Sequence, residues 1–178
     1  MAFSTKEELL ERIKAVFPDE PWPKGQVTSD CDCYECQECN EAVKGHRWSE
    51  ITPQLACRYY KCISLADDQG FRHLLPAFMS CALIDCAETD VAVQSLAWAY
   101  LSHKGRSIDF LTRPQAEALC DWLEWNLRDE ELEHDEWKEH QDHGSFLQKW
   151  VLKKVRTKND RMWARLEKLR EEASRMSK

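Results

Sequence analysis

Glycine and proline are scarce in this chain, at 5 and 6 of 178 residues. That excludes a collagen-like chain and argues against a turn-rich β-sandwich. No segment alternates polar and apolar residues over the length a strand requires. No apolar run is long enough to span a bilayer; the longest, at 74–84 and 91–101, are short and flanked by polar residues. The first residues carry no basic stretch followed by an apolar one, so they do not read as a secretory signal. Positive charge is also in deficit: 25 Lys and Arg against 32 Asp and Glu leave a formal net charge of −7, which weighs against a generic nucleic-acid binder. There is no Gly-rich phosphate loop, no Gly-x-Ser-x-Gly elbow and no His-Glu-x-x-His motif. Catalysis is therefore the less favoured expectation.

Cysteine and tryptophan, by contrast, are abundant, at nine and eight residues. The chain reads as cytoplasmic, and there nine cysteines are expected as free thiols or metal ligands rather than disulfides. An odd count also fits poorly with complete internal pairing.

Helical spacing dominates. Thr5 and Glu8 have capping-box spacing ahead of Leu9, Leu10, Ile13, Val16 and Phe17, which predicts a helix over 5–17. Pro18, Pro21, Pro23 and Gly25 stop it. A short helix follows the cysteines into Val43 and ends near Gly45. Thr52 and Pro53 start another, with Leu55, Tyr59, Cys62, Ile63 and Ala66 as its buried stripe and a break at 67–70. Residues 71–86 are apolar on most sides and predict a central helix containing Pro76. Asp90 is expected to cap the next, with Val91, Val93 and Leu96 inward. Thr112 and Pro114 open a last core helix with Leu119, Cys120, Leu123 and Leu127 facing in. The expected fold is all-α: a compact multi-helix domain over 1–127 and a C-terminal pair of long charged helices over 128–178.

That extension is polar in layout. Residues 128–142 hold eight acids and two bases, and residues 149–178 hold eleven bases and four acids. Gly144 is placed as the breaker between them. Leu152, Val155, Asn159, Met162, Leu166, Leu169, Ala173 and Met176 recur at alternating spacings of three and four, a heptad seam. Two uses of it stand open. It can pair with another protein or a second copy, with Trp137, Trp150 and Trp163 marking a contact surface, or it can pack back on its own chain. Weak nucleic-acid contact through the basic helix is a further alternative, opposed by the neighbouring acids. Trp22, Trp48 and Trp98 are expected as core or loop anchors, and His73 as a structural histidine.

The chemistry concentrates at Cys31, Cys33, Cys36 and Cys39, with His46 seven residues on. Zinc takes four thiolate or imidazole ligands, and Cys-x2-Cys is its usual half-site. A structural zinc site drawn from these five residues is one reading. The other is a cysteine-rich loop entering a helix, with thiols buried as small apolar groups. A redox role for a Cys-x2-Cys pair is a third. Crowding by Asp30, Asp32, Glu35 and Glu38 is expected to raise the thiol pKa values. A second spacing, Glu136, His140 and His143, fits a metal on one helix face, but a solvated charged face is the favoured reading.

Several segments occur together in order: Ala15-Val16-Phe17-Pro18-Asp19-Glu20-Pro21; Cys33-Tyr34-Glu35-Cys36 followed by Gly45 and Trp48-Ser49-Glu50-Ile51; Phe71-Arg72-His73-Leu74-Leu75-Pro76-Ala77; Asp90-Val91; and Phe110-Leu111-Thr112-Arg113-Pro114-Gln115 leading to Trp122-Leu123. In this the chain resembles a family of small uncharacterised bacterial proteins, a domain of unknown function, over about residues 5–127. The resemblance implies that Cys33 and Cys36 belong to the family pattern, with Cys31 and Cys39 as additions. It supplies no catalytic residues. It also implies that the charged extension is this member's elaboration. Together these expectations describe a helical interaction or regulatory protein, alternatively one stabilised by zinc or a metal-dependent enzyme.

Overall fold

The computed structural model describes residues 5–22, 27–28, 31, 33–102, 105–139 and 146–176, with backbone alone at 86–88, 90, 130–139 and 146–157. Among these residues the fold is all-α. The helices are α1 (Lys6–Val16), α2 (Tyr34–Val43), α3 (Pro53–Arg58), α4 (Cys62–Leu65), α5 (Asp68–Ile84), α6 (Cys86–Leu101), α7 (Arg113–Glu139) and α8 (Phe146–Arg175), with one 3-10 turn at Trp48–Glu50.

The first helix forms as its sequence signals direct. Thr5 Oγ1 accepts from the Glu8 N–H at 3.2 Å, and Glu8 returns a carboxylate to the Thr5 N–H at 2.8 Å. Two donors that a helix N-terminus leaves unpaired are thereby satisfied. Leu9, Ile13 and Phe17 then bury one face.

The centre is α5, which is enclosed continuously from Leu74 to Leu83 and packs on α1, α3, α4 and α6. Its apolar circumference explains that position. Pro76 lies within it. The α7 helix crosses the same core, with Trp122 fully buried and its indole N–H donated to the Met79 carbonyl at 3.1 Å. Leu119, Cys120, Leu123 and Leu127 are inward, as their spacing indicates.

Several boundaries differ from expectation. The helix begun by Thr52 and Pro53 ends at Arg58, and Tyr59–Lys61 turns the chain before α4. Its stripe is therefore split: Cys62, Ile63 and Ala66 are buried, whereas Leu55 and Tyr59 are half-buried. The segment 67–70 is a helix start rather than a break, because the Asp67 carboxylate accepts from the Gly70 N–H at 2.7 Å and caps α5. Helix α6 begins at Cys86, one turn before Asp90, with the Asp85 carbonyl accepting from the Thr89 N–H at 3.2 Å. Val91, expected inward, and Trp98, expected as a core or loop anchor, are exposed.

Helix α7 continues without interruption through 127 and 128, so the body and the acidic block share one helix. Helix α8 returns along α7 and touches α6. Within the seam, Met162, Leu166, Leu169 and Ala173 are buried by their own chain and Asn159 is half-buried. The described part of the seam is thus internal packing, and these buried residues are not available as surface. Trp137, Trp150, Leu152 and Val155 lie outside the described side chains, as do Glu136, His140, His143 and Gly144. No described helix is long and apolar enough to cross a membrane.

Candidate metal centre

A strap of two residues sets the geometry around the cysteines. Val27 and Thr28 both donate their N–H groups to the Asn40 side-chain oxygen, at 2.8 and 3.1 Å. Asn40 donates back to Thr28 Oγ1 at 3.1 Å. Thr28 also forms an isolated antiparallel bridge with Ala66, and the Asp67 N–H donates to the Val27 carbonyl at 3.1 Å. The strap thus lies between α2 and the start of α5. Gly70 makes room for it: a Cβ there would come within 1.9 Å of the Val27 carbonyl oxygen. Asn40 is buried, and its bonds to the strap offset the cost of placing an amide inside.

Beyond the strap the chain reaches Cys31 and then Cys33, the residue that precedes the first turn of α2. Cys36 follows three residues later, one helical turn on, so both point to the same end. The sulfurs of Cys31, Cys33 and Cys36 all lie within 4.8 Å of one another. Zinc–thiolate bonds of about 2.3 Å in a tetrahedron place sulfurs about 3.8 Å apart. Small side-chain rotations therefore close the trio around one ion. Cys33 is exposed, Cys31 half-buried and Cys36 buried, so the group opens to solvent on one side only.

The thiols are not equivalent. Cys33 is held below the ordinary thiol range, first by the backbone N–H of Cys36 and then by the Cys31 thiol. This corrects the expectation that surrounding acids raise it. These donors outweigh burial, which acts the other way on Cys33, and Glu35 is tied to Lys61 at 2.8 Å. Cys36 is pushed up to about 11, chiefly by burial.

Two of the five expected ligands fall outside this group. Cys39 is buried between α2 and α4, where the Cys62 thiol is its hydrogen-bond partner. That contact, followed by burial, pushes the Cys62 pKa up. His46 lies past the end of α2, which closes at Gly45 with φ +73°, a left-handed turn that favours glycine. There the His46 ring is 3.7 Å from the Glu50 carboxylate, and its carbonyl accepts from the Trp22 N–H at 3.0 Å and from His73 Nε2 at 3.2 Å. His73 is accordingly a structural histidine; burial holds its pKa down.

The strap and the Cys62 contact were not found from sequence. Asn40 carries no motif, and the only trace of the strap is a glycine beside Asp67 and Asp68. The basic helix is partly used inside the chain. Arg165 pairs with Glu172 at 3.0 Å, Arg170 with Asp121 at 3.2 Å and with Glu124, and Arg175 with Glu171 at 3.1 Å.

A family profile, described only as a family of unknown function, matches residues 5–155. No curated protein and no solved structure matches the chain. The family match passes well beyond 127, so the acidic block is family sequence and not an elaboration of this member. With residues 5–155 of 178 matched, the chain belongs to the family of unknown function DUF6714.

Proposed function

We propose that this is a metal-binding helical protein in which Cys31, Cys33 and Cys36 hold one zinc ion. The single observation behind this is the convergence of three sulfurs at the start of α2. Three thiolates form a soft donor set, which suits zinc, copper(I) or an iron–sulfur cluster and disfavours magnesium or calcium. Zinc is the choice because it needs no redox partner and accepts a tetrahedron with one position left to water or another donor. Bound there, the ion would fasten the chain after the strap to α2. In this reading the ion is structural, and the helical body acts by protein contact rather than catalysis; the exposed Trp98 supports the contact role.

Elemental analysis of the full chain purified without chelator tests the metal. About one zinc per chain is expected. Less than about 0.1 overturns the proposal, because structural zinc sites bind tightly. Cys36→Ser should lose the metal, and Cys81→Ser, far along the chain in α5, should keep it.

A further inference from the structure

Parts of the chain far apart in sequence enclose a cleft of about 180 Å³. The segment after α1 supplies Phe17, Glu20 and Trp22, the 3-10 turn supplies Trp48, and α5 supplies Arg72 and Pro76. Its aromatic walls are fixed in place. Phe17 and Trp48 are buried. The Trp22 backbone N–H donates to the His46 carbonyl at 3.0 Å, and the Trp22 ring lies 4.9 Å from that of His73. A space of about 150 Å³ holds one benzene ring, whereas drug-sized ligands take about 300 Å³ or more. The cleft therefore suits a single ring and is too small for a nucleotide.

Its polar groups are unspent, and they come in both signs. Trp48 is only 4% exposed, yet its indole N–H has no acceptor among the described residues. The buried Trp122, by contrast, gives its N–H to a carbonyl, as enclosed donors ordinarily do. The Arg72 guanidinium and the Glu20 carboxylate are exposed, and neither joins another side chain among the described residues. Pro76 lies inside α5 and has no N–H to give the Arg72 carbonyl four residues earlier. The neighbouring acid is occupied: Asp19 accepts from the Ser49 N–H at 3.2 Å and from the Ser49 hydroxyl at 2.7 Å.

We propose that this cleft binds a free α-amino acid with a single-ring aromatic side chain. The ring lies among Phe17, Trp22 and Trp48, whose flat faces suit another aromatic. The carboxylate goes to Arg72, whose fork matches it, and to the Trp48 N–H. The ammonium goes to Glu20 and the Arg72 carbonyl. A plain carboxylic acid would leave Glu20 against a like charge, and a plain amine would do the same to Arg72. Only a ligand with both charges answers both groups. None of Cys31, Cys33 and Cys36 borders the cleft, so the inference stands apart from the zinc.

Calorimetric titration of the full chain with phenylalanine, 3-phenylpropionate and phenethylamine tests it. Phenylalanine should bind with a Kd of about 100 µM, modest because the ligand is small. Each analogue lacks one charge and should bind at least about tenfold more weakly. Arg72→Gln should weaken phenylalanine by about the same factor and leave phenethylamine unchanged. Glu20→Gln should weaken phenylalanine and leave 3-phenylpropionate unchanged. Both side chains are exposed, so the melting temperature of each variant should match wild type. Three results would overturn the proposal: no binding of phenylalanine; either analogue binding as tightly as phenylalanine; or either variant binding phenylalanine like wild type.

Discussion

Successive turns at the start and in the middle of α2 carry cysteine at the same spacing of three and put it to opposite uses. At the N-terminal end Cys33 and Cys36, joined by Cys31, face one another at a surface that solvent reaches. One turn further on, Cys39 is closed in against α4 with Cys62. Spacing therefore does not make a ligand. What separates the two is whether a neighbouring helix covers the thiol. The first group is open to a cation, whereas the contact with Cys62 lowers Cys39 and raises Cys62, so that a proton stays between the two enclosed sulfurs.

Removing one thiol from the open group and one from the enclosed pair tests this contrast most strongly. Cys36→Ser should abolish zinc binding, at least a tenfold fall in metal per chain by elemental analysis. Cys39→Ser should retain the zinc. Equal loss in both variants would show that Cys39 belongs to the site.

Next in size is Gly70→Ala, which pushes a methyl group into the Val27 carbonyl. Overpacking against backbone should cost about 3 kcal/mol, read from urea unfolding. It should also weaken metal binding, because the strap leads directly into the trio. A variant that unfolds more easily yet binds zinc as before would separate the strap from the site.

Cys62→Ser puts a hydroxyl into the buried contact with Cys39. A loss of about 1–2 kcal/mol is expected, with metal content unchanged. The contrast with Cys36→Ser is the point: one changes stability without metal, the other metal above all.

Alkaline pH separates exposed thiols from enclosed ones. Burial pushes Cys81 and Cys120 up to about 12 each, from an ordinary 9.0. Both stay neutral in the fold while the unfolded chain ionises. Their contribution is complete below pH 9 and should be lost as pH rises from 9 towards 12. The melting temperature should fall over that interval, and less steeply in Cys120→Ala. Cys33, shifted the other way, should add nothing to this loss.

The smallest effect is one of order. In chelator-treated protein, an alkylating reagent should modify Cys33 first, because it is exposed and held below the ordinary thiol range. Zinc should protect it. Mass mapping that finds Cys39 or Cys62 labelled first would reverse the assignment of the open group and the enclosed pair.

Much of the fold was legible because its signals are local. Thr5 with Glu8 and Thr52 with Pro53 specify helix starts through bonds made within one turn. The apolar circumference of 71–86 announces a central helix whatever surrounds it. The boundaries that moved depend on distant groups. Asp67 and Gly70 read as a break, but the strap's Val27 sits over Gly70 and the helix begins there. Val91 read as inward, and Trp98 as a core or loop anchor, because apolar residues of α6 are spread around the helix and periodicity could not choose among them. The cysteine site was half legible for the same reason. Four thiols in nine residues are visible at once, but which of them meet is not.

By itself, then, the sequence determined an all-helical fold, the first turns of α1, α3 and α7, an acidic block followed by a basic one, and a cluster of thiols near residue 35. Each follows from hydrogen bonds or periodicities spanning a few residues. The tertiary structure alone decided that Cys31, Cys33 and Cys36 converge, that Cys39 turns to Cys62, that Met162, Leu166, Leu169 and Ala173 of the α8 seam are buried on their own chain and that Trp98 stays exposed. Those outcomes depend on which surfaces residues far apart in sequence cover, and cover decides whether a thiol or an indole is core or site.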